Sequence, residues 1–433
     1  MEGYPQPGGA WVGRGTARPV RLQTWIDRVA APLPGRQRDF VLYWVASFLI
    51  YGGWGWTLPL QGLRLLEAGI GLGGIGLIQA ASGLASLMAQ SYLGHLSDRF
   101  ARRRPFLLAA LGGSAPLHVL FVWLHHPVVL AALVVAMTVL QTAYITMLFT
   151  SVSSIGRPGQ GGRTFAAYRI SGSVGWVVTS LSLAWVLGPL GIRGAYALAA
   201  GVYGAVTLGI GAWLPEPPVE PHEGSGKSAR PASVRALGAS GRMLLRSTEL
   251  RLFYAGTVLM TFSMAAGAIY IPIYLKVGLG LNDAAFGVLT AVPAMFEVPF
   301  MLWLGRAADR WGVHRLLALG AAVGVVRWGA VPFATQALQV LPLQVLNAWS
   351  FSSTEILGVA FLSQRVGLGL RGTALGVLSS AQALGRLVAP AAAGALGDRW
   401  GLAGIFWLAA AAALMAAPLF GASRAAGERG SRG

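Results

Sequence analysis

The chain has 433 residues, of which 55% are hydrophobic and 11% charged, with no cysteine. A soluble domain carries roughly 25% charged residues, so a water-facing surface cannot be built at this length and lipid has to solvate the chain. The lack of cysteine excludes disulfides and thiolate metal sites, and the formal net charge of +18 calls for an anionic partner or a topological explanation.

Residues 1–38 hold Arg14, Arg18, Arg21, Arg28, Arg36 and Arg38 among prolines and glycines, without an apolar run that would serve as a signal-peptide core. They are expected to form a cytoplasmic tail. Apolar stretches of about 20 residues, each long enough to cross the ~30 Å hydrocarbon core as a helix, follow one another. They fall at 40–62, 73–94, 105–124, 127–150, 164–188 and 194–214, then at 250–275, 283–305, 314–334, 338–362, 372–396 and 402–422. The 60 glycines suit such an array, because small residues bring helices together in lipid. Residues 215–249, from Pro215-Glu216-Pro217-Pro218 through Lys227, Arg230, Arg235, Arg242 and Arg246, are polar and Pro-rich. They read as a cytoplasmic linker between an N-terminal half (39–214) and a C-terminal half (250–422), with 423–433 as a second tail.

The basic residues alternate with the crossings. With the N-terminus inside, the inner segments hold Arg99, Arg102, Arg103, Arg104, Arg157, Arg163, the linker cluster, Arg306, Arg310, Arg315, Arg365 and Arg371, whereas the outer segments hold only Arg64, Arg193, Lys276 and Arg399. This is the positive-inside bias, so the net charge needs no nucleic-acid partner and both termini are expected in the cytoplasm.

The two halves repeat each other. Gly76, Gly94, Asp98 and Arg99 recur as Gly287, Gly305, Asp309 and Arg310 at one constant shift of 211, and Leu58-Pro59-Leu60 matches Ile271-Pro272-Ile273 after a two-residue gap. Internal repeats of this kind build transporters whose substrate site lies near the midplane between the repeats.

The loop Gly94-His-Leu-Ser-Asp98-Arg99-Phe-Ala-Arg102-Arg103-Arg104 resembles the signature loop of the major facilitator superfamily. Its second copy, Gly305-Arg-Ala-Ala-Asp309-Arg310-Trp-Gly312-Val-His-Arg315, keeps the glycine that the first copy replaces with Ala101. The resemblance implies an all-α integral membrane fold of twelve helices in two pseudo-symmetric six-helix halves. It also implies a gate at Gly94, Asp98, Arg99, Gly305, Asp309 and Arg310: the glycines permit close helix approach, and an aspartate facing a helix N-terminus or an arginine holds the cytoplasmic side shut. The patches Glu297-Val-Pro-Phe-Met-Leu-Trp-Leu-Gly305, Arg169-Ile-Ser-Gly-Ser173-Val-Gly-Trp176, and Gln364-Arg365 followed by Arg371-Gly-Thr-Ala are similar to the sugar-efflux branch. The antiporter-type Gly-Pro pattern is partial, as Gly188-Pro189-Leu-Gly191.

Within the spans the ionisable residues reduce to Glu297, Arg327, Glu355 and Arg386, with Arg169 near the inner end of the fifth span. A charge at the bilayer centre needs a partner, a wet cavity or neutralisation. Glu297, Glu355 and Arg386 fall at similar depth on spans eight, ten and eleven, and read with Arg169 as a charge network. Glu297 is either a proton-coupling carboxylate or half of a structural ion pair with Arg386 or Arg327. Arg386 is expected to be a counter-ion, and Arg327 to snorkel outward. Gln79, Gln141, Tyr144 and Trp176, with Gln90 and Tyr168, and Asn347 in the polar run that ends at Glu355, are candidate substrate contacts. Sugar hydroxyls need such amide partners, and a sugar's C–H face packs on a ring.

Two soluble-enzyme motifs lack their context. Gly71-Leu-Gly73-Gly-Ile-Gly76 follows a membrane span rather than a strand, and in Gly224-Ser-Gly226-Lys227-Ser228 the required first glycine of a phosphate loop is Pro221. Neither a cofactor nor a catalytic constellation is implied. The resulting expectation is a monomeric, inner-membrane secondary transporter, a proton-coupled exporter of sugars or similar polar solutes. Multidrug efflux, solute uptake and a non-transporting receptor or scaffold stand as the alternatives.

Overall fold

The computed structural model of the protein describes residues 32, 35–100, 103–157, 161–214 and 243–430. Among them the only β interaction is an isolated bridge between Pro32 and Gly156. Residues 215–242 of the linker, and residues 1–31, 33 and 34 of the first tail, lie outside the described residues.

Helices α1 (Gln37–Glu67), α2 (Leu72–Phe100), α3 (Arg104–Trp123) and α4 (Pro127–Ser154) lead into α5 (Gly161–Trp213), which is 53 residues long. At 1.5 Å per residue α5 would measure about 80 Å, more than twice a hydrocarbon core. It breaks at Gly191, where φ is 62°. The second half repeats this plan with α6 (Thr248–Ala268), α7 (Asp283–Trp311), α8 (Val313–Ala330), α9 (Ala337–Arg365) and α10 (Leu368–Gly430). The last, 63 residues long, breaks at Gly401 with φ 67°. Only glycine occupies this left-handed region at little cost, and the two breaks are 210 residues apart. Of the described helices, nine (α2 to α10) are long and apolar enough to cross a membrane. The two broken ones cross twice, and α1 completes twelve crossings.

Residues 423–430, in the segment expected as the second tail, continue α10 to Gly430. Pro272 lacks an N–H and interrupts the ladder after α6. There the chain continues as a short turn, Ile271–Ile273, and one π turn, Tyr274–Gly278.

Within each half a glycine brings a helix directly onto the backbone of another. A Cβ on Gly175 of α5 would lie 2.1 Å from the Phe48 carbonyl of α1, and one on Gly385 of α10 would lie 2.6 Å from the Val258 carbonyl of α6. Both members of this contact repeat at a shift of 210. Between the halves, α2 packs on α10 and α5 on α7. Gly76 and Gly287, the repeated pair read from the sequence, are the closest points there: their Cβ atoms would meet the Pro390 carbonyl at 2.1 Å and the Ser180 carbonyl at 2.6 Å.

The apolar core shows where the halves meet and where they part. One cluster joins Leu60, Ile75, Phe121 and Leu183 to Ile271, Phe286, Trp328, Ala389 and Phe406, and so spans both halves at the end away from Gln37 and Gly430. At the end bearing those residues the core divides. Phe40, Leu107, Leu148 and Val206 pack only within the first half, and Phe253, Leu316, Phe361 and Phe420 only within the second. The bundle is therefore closed at its far end and parted at its terminus-bearing end.

Candidate functional site

The α5/α7 contact descends from the closed end in register. Ser180 faces Gly287, the Trp176 indole N–H donates to the Thr290 carbonyl at 3.2 Å, and Arg169 Nη2 lies 3.6 Å from Glu297 Oε1. The helices run antiparallel, so each turn along one meets the preceding turn of the other. Arg169 and Glu297 thus form a cross-half ion pair at the depth where the closed interface ends. The Glu297 side chain is 13% exposed and that of Arg169 32%. Farther along α7, Gly305 has open space where a Cβ would sit.

Arg169 is held from the first half as well. Its guanidinium carbon lies 4.8 Å from the centroid of the Tyr51 ring, a cation–π geometry that also covers the apolar face of the guanidinium. Tyr51 packs against Trp54 with 4.5 Å between ring centroids, and Trp54 Nε1 donates to the Tyr144 hydroxyl at 2.7 Å. Ser352 of α9 donates to the Glu297 backbone carbonyl at 3.1 Å. Glu355, half-buried on α9, is near enough to act on Glu297 through its charge.

The structure revises the network expected from sequence. Glu297 pairs with Arg169 and with neither Arg386 nor Arg327. Arg386 is exposed and forms no ion pair among the described residues. Arg327 does not snorkel: it is 1% exposed, its guanidinium stacks 3.5 Å from the Trp328 ring centroid, and its three side-chain nitrogens have no acceptor among the described residues.

Of the substrate-contact candidates, Tyr144 is 2% exposed and sits inside the first-half core, which removes it from the parted space. Gln79 gives its amide to Gln61 at 2.7 Å, and Trp176 is engaged at the half–half interface. Gln141 and Asn347 are half-buried on α4 and α9. At the signature loops, Gly94, Asp98 and Arg99 lie at the end of α2, outside the residues whose side chains are described. Asp309 and Arg310 are exposed and form no ion pair among the described residues, and the close helix approach expected at Gly305 is absent while this end is parted. Sequence reading missed Tyr51, although its three-residue spacing from Trp54 puts both rings on one face of α1.

A repeated pair of six-helix bundles, joined at one end and parted at the other below a half-buried cross-half ion pair, defines a multi-pass secondary transporter of the major facilitator fold. That class is one of carriers rather than of enzymes. The chain belongs to the MFS_1-like family, which it matches over residues 41–410. It is 25% identical over 245 residues to Sugar efflux transporter A of Escherichia coli (strain K12), a match spanning 54% of this chain and 59% of that protein. To Sugar efflux transporter A of Dickeya chrysanthemi it is 26% identical over 336 residues, 75% of this chain and 80% of that one. Its fold matches the crystal structure of a mutant of the nucleoside transporter NupG with a TM-score of 0.76 at 15% identity, covering 89% of this chain and 99% of that one.

Proposed function

We propose that the chain exports sugars or similar small polar solutes in exchange for protons, as a monomer in the inner membrane with both termini cytoplasmic. The positive-inside bias supports that orientation, and with it the parted end opens to the cytoplasm. The similarity to sugar efflux transporters supports the solute class. The observation that carries the coupling is the Arg169–Glu297 pair, which joins the halves at the depth where they separate.

The chemistry follows from that position. With the far end closed, Arg169 holds Glu297 as a carboxylate. Opening of the far end draws α5 from α7 and breaks the pair, and the freed carboxyl takes a proton from outside as solute leaves. Return to the closed state restores the pair and sheds the proton inward. Tyr51 keeps Arg169 in place while its partner is absent.

Glu297→Gln keeps the size and hydrogen bonding of the side chain and removes its titration. In inverted vesicles with an imposed pH gradient, the variant is expected to lose gradient-driven solute accumulation and to retain solute exchange at zero gradient. Undiminished accumulation sinks the assignment. Its loss in Glu355→Gln alone transfers the role to that residue.

A further inference from the structure

The first turn of a helix leaves N–H groups without acceptors inside the helix, and the residue before it supplies one from its side chain. For α7 that residue is Asn282, whose side-chain oxygen accepts from Ala285 N at 2.8 Å. The repeat places Gly71 at the corresponding position before α2, 211 residues earlier. Glycine has no side chain to offer. The acceptor comes instead from the other half: Asp398 Oδ1, near the outer end of the first arm of α10, receives the Gly73 N–H at 3.0 Å. At the position 210 residues before Asp398 the first half has Gly188, so the carboxylate stands only where the local cap is missing.

The surroundings are built to this contact. A Cβ on Gly73 would fall 2.2 Å from Asp398 Oδ2, and one on Gly394 would fall 2.5 Å from the Leu72 carbonyl. The Tyr270 hydroxyl lies 3.1 Å from both the Leu72 and the Pro390 carbonyls, so its hydrogen is shared between the two halves. The Asp398–Gly73 and Tyr270–Leu72 hydrogen bonds join α2 to the second half at the closed end and do not survive separation of the halves there, whereas the Tyr270–Pro390 contact lies within the second half.

We propose that Asp398 and Tyr270 form an outer latch, in which a carboxylate of one half caps the open N-terminus of a helix in the other and so sets how much of the population is closed to the outside. This rests on the alternating-access reading above and adds its regulation. The latch exists only in the closed state, so weakening it favours outer opening while leaving the residues of the Arg169–Glu297 pair unaltered. It also places a carboxylate at the positive end of α2, where the helix dipole adds to the hydrogen bond.

The test uses the full chain, whose lack of cysteine allows spin labels on His125→Cys and Phe333→Cys, exposed far-end positions in opposite halves. Pulsed dipolar spectroscopy in lipid nanodiscs reads the ratio of long to short distances. Asp398→Ala is expected to raise the long-distance share about fivefold, the scale of one lost helix cap. Asp398→Asn, which keeps a cap acceptor but loses the charge, is expected to shift it less, and Tyr270→Phe to add to either. An unchanged ratio in Asp398→Ala overturns the latch, and so does a lowered melting temperature with the ratio unmoved, which makes Asp398 structural. A single immovable distance in the unsubstituted chain overturns the rocking motion itself, and with it the functional reading.

Discussion

Gly76 offers the sharpest test of how the far end closes. Its absent Cβ would sit 2.1 Å from the Pro390 carbonyl oxygen and 2.7 Å from the Tyr270 hydroxyl. Ordinary contact begins near 3.4 Å, so an alanine lacks 1.3 Å of room. The obstacle is backbone of α10 and cannot rotate away. The strain therefore falls on the closed state alone, and overpacking of this kind costs about 1–3 kcal/mol, which multiplies the ratio of outward-open to closed molecules by about 5–150. Ala393, 0% exposed in the core that joins the halves at this end, serves as a reporter when replaced by cysteine. In Gly76→Ala its labelling by an impermeant maleimide added from the far side should accelerate by that factor. Gly201→Ala, on the second arm of α5, is the control, because nothing lies within 4 Å of that Cβ in the structure. An unchanged labelling rate in Gly76→Ala would mean that the α2/α10 contact does not limit outer opening.

Two further outcomes are expected. Arg327 bears a buried charge with no ion-pair partner among the described residues, compensated only by the Trp328 ring. Replacing a buried charge with a well-packed apolar side chain is often neutral or stabilising by ~1–4 kcal/mol, so Arg327→Met should hold or raise the thermal midpoint in detergent and preserve transport; a large fall in the midpoint contradicts this. For orientation, single cysteines at the exposed positions His125 and Gln364 should differ in intact cells: the first labels with an impermeant maleimide and the second does not. The reverse pattern inverts the topology.

The sequence alone determined the membrane class, the twelve crossings and the twofold repeat. Each rests on a local quantity: apolar run length, the alternation of basic residues, or a fixed spacing of glycines and aspartates. Helix bounds could be read because a span has to bridge hydrocarbon whatever its neighbours are. The repeat even marked Gly76 and Gly287 as special before their neighbours were known, since only a crossing of helices explains a glycine kept at a constant shift. Partners across the halves were another matter. Arg386 and Glu297 share a depth, and depth is all that counting along a span gives. Pairing depends on which helix faces are apposed, and the antiparallel packing of α5 on α7 brings Arg169 to Glu297 while Arg386 stays exposed. Arg327 reads as a snorkelling residue by position, yet the way α8 packs turns it inward onto Trp328. Tyr144 reads as a sugar-facing ring until the first-half core closes over it. Asp398 and Gly73 stand 325 residues apart, and no local rule links a glycine before one helix to a carboxylate near the end of another. Local chemistry set what each helix is, and only the apposition of the two halves decided which charge meets which.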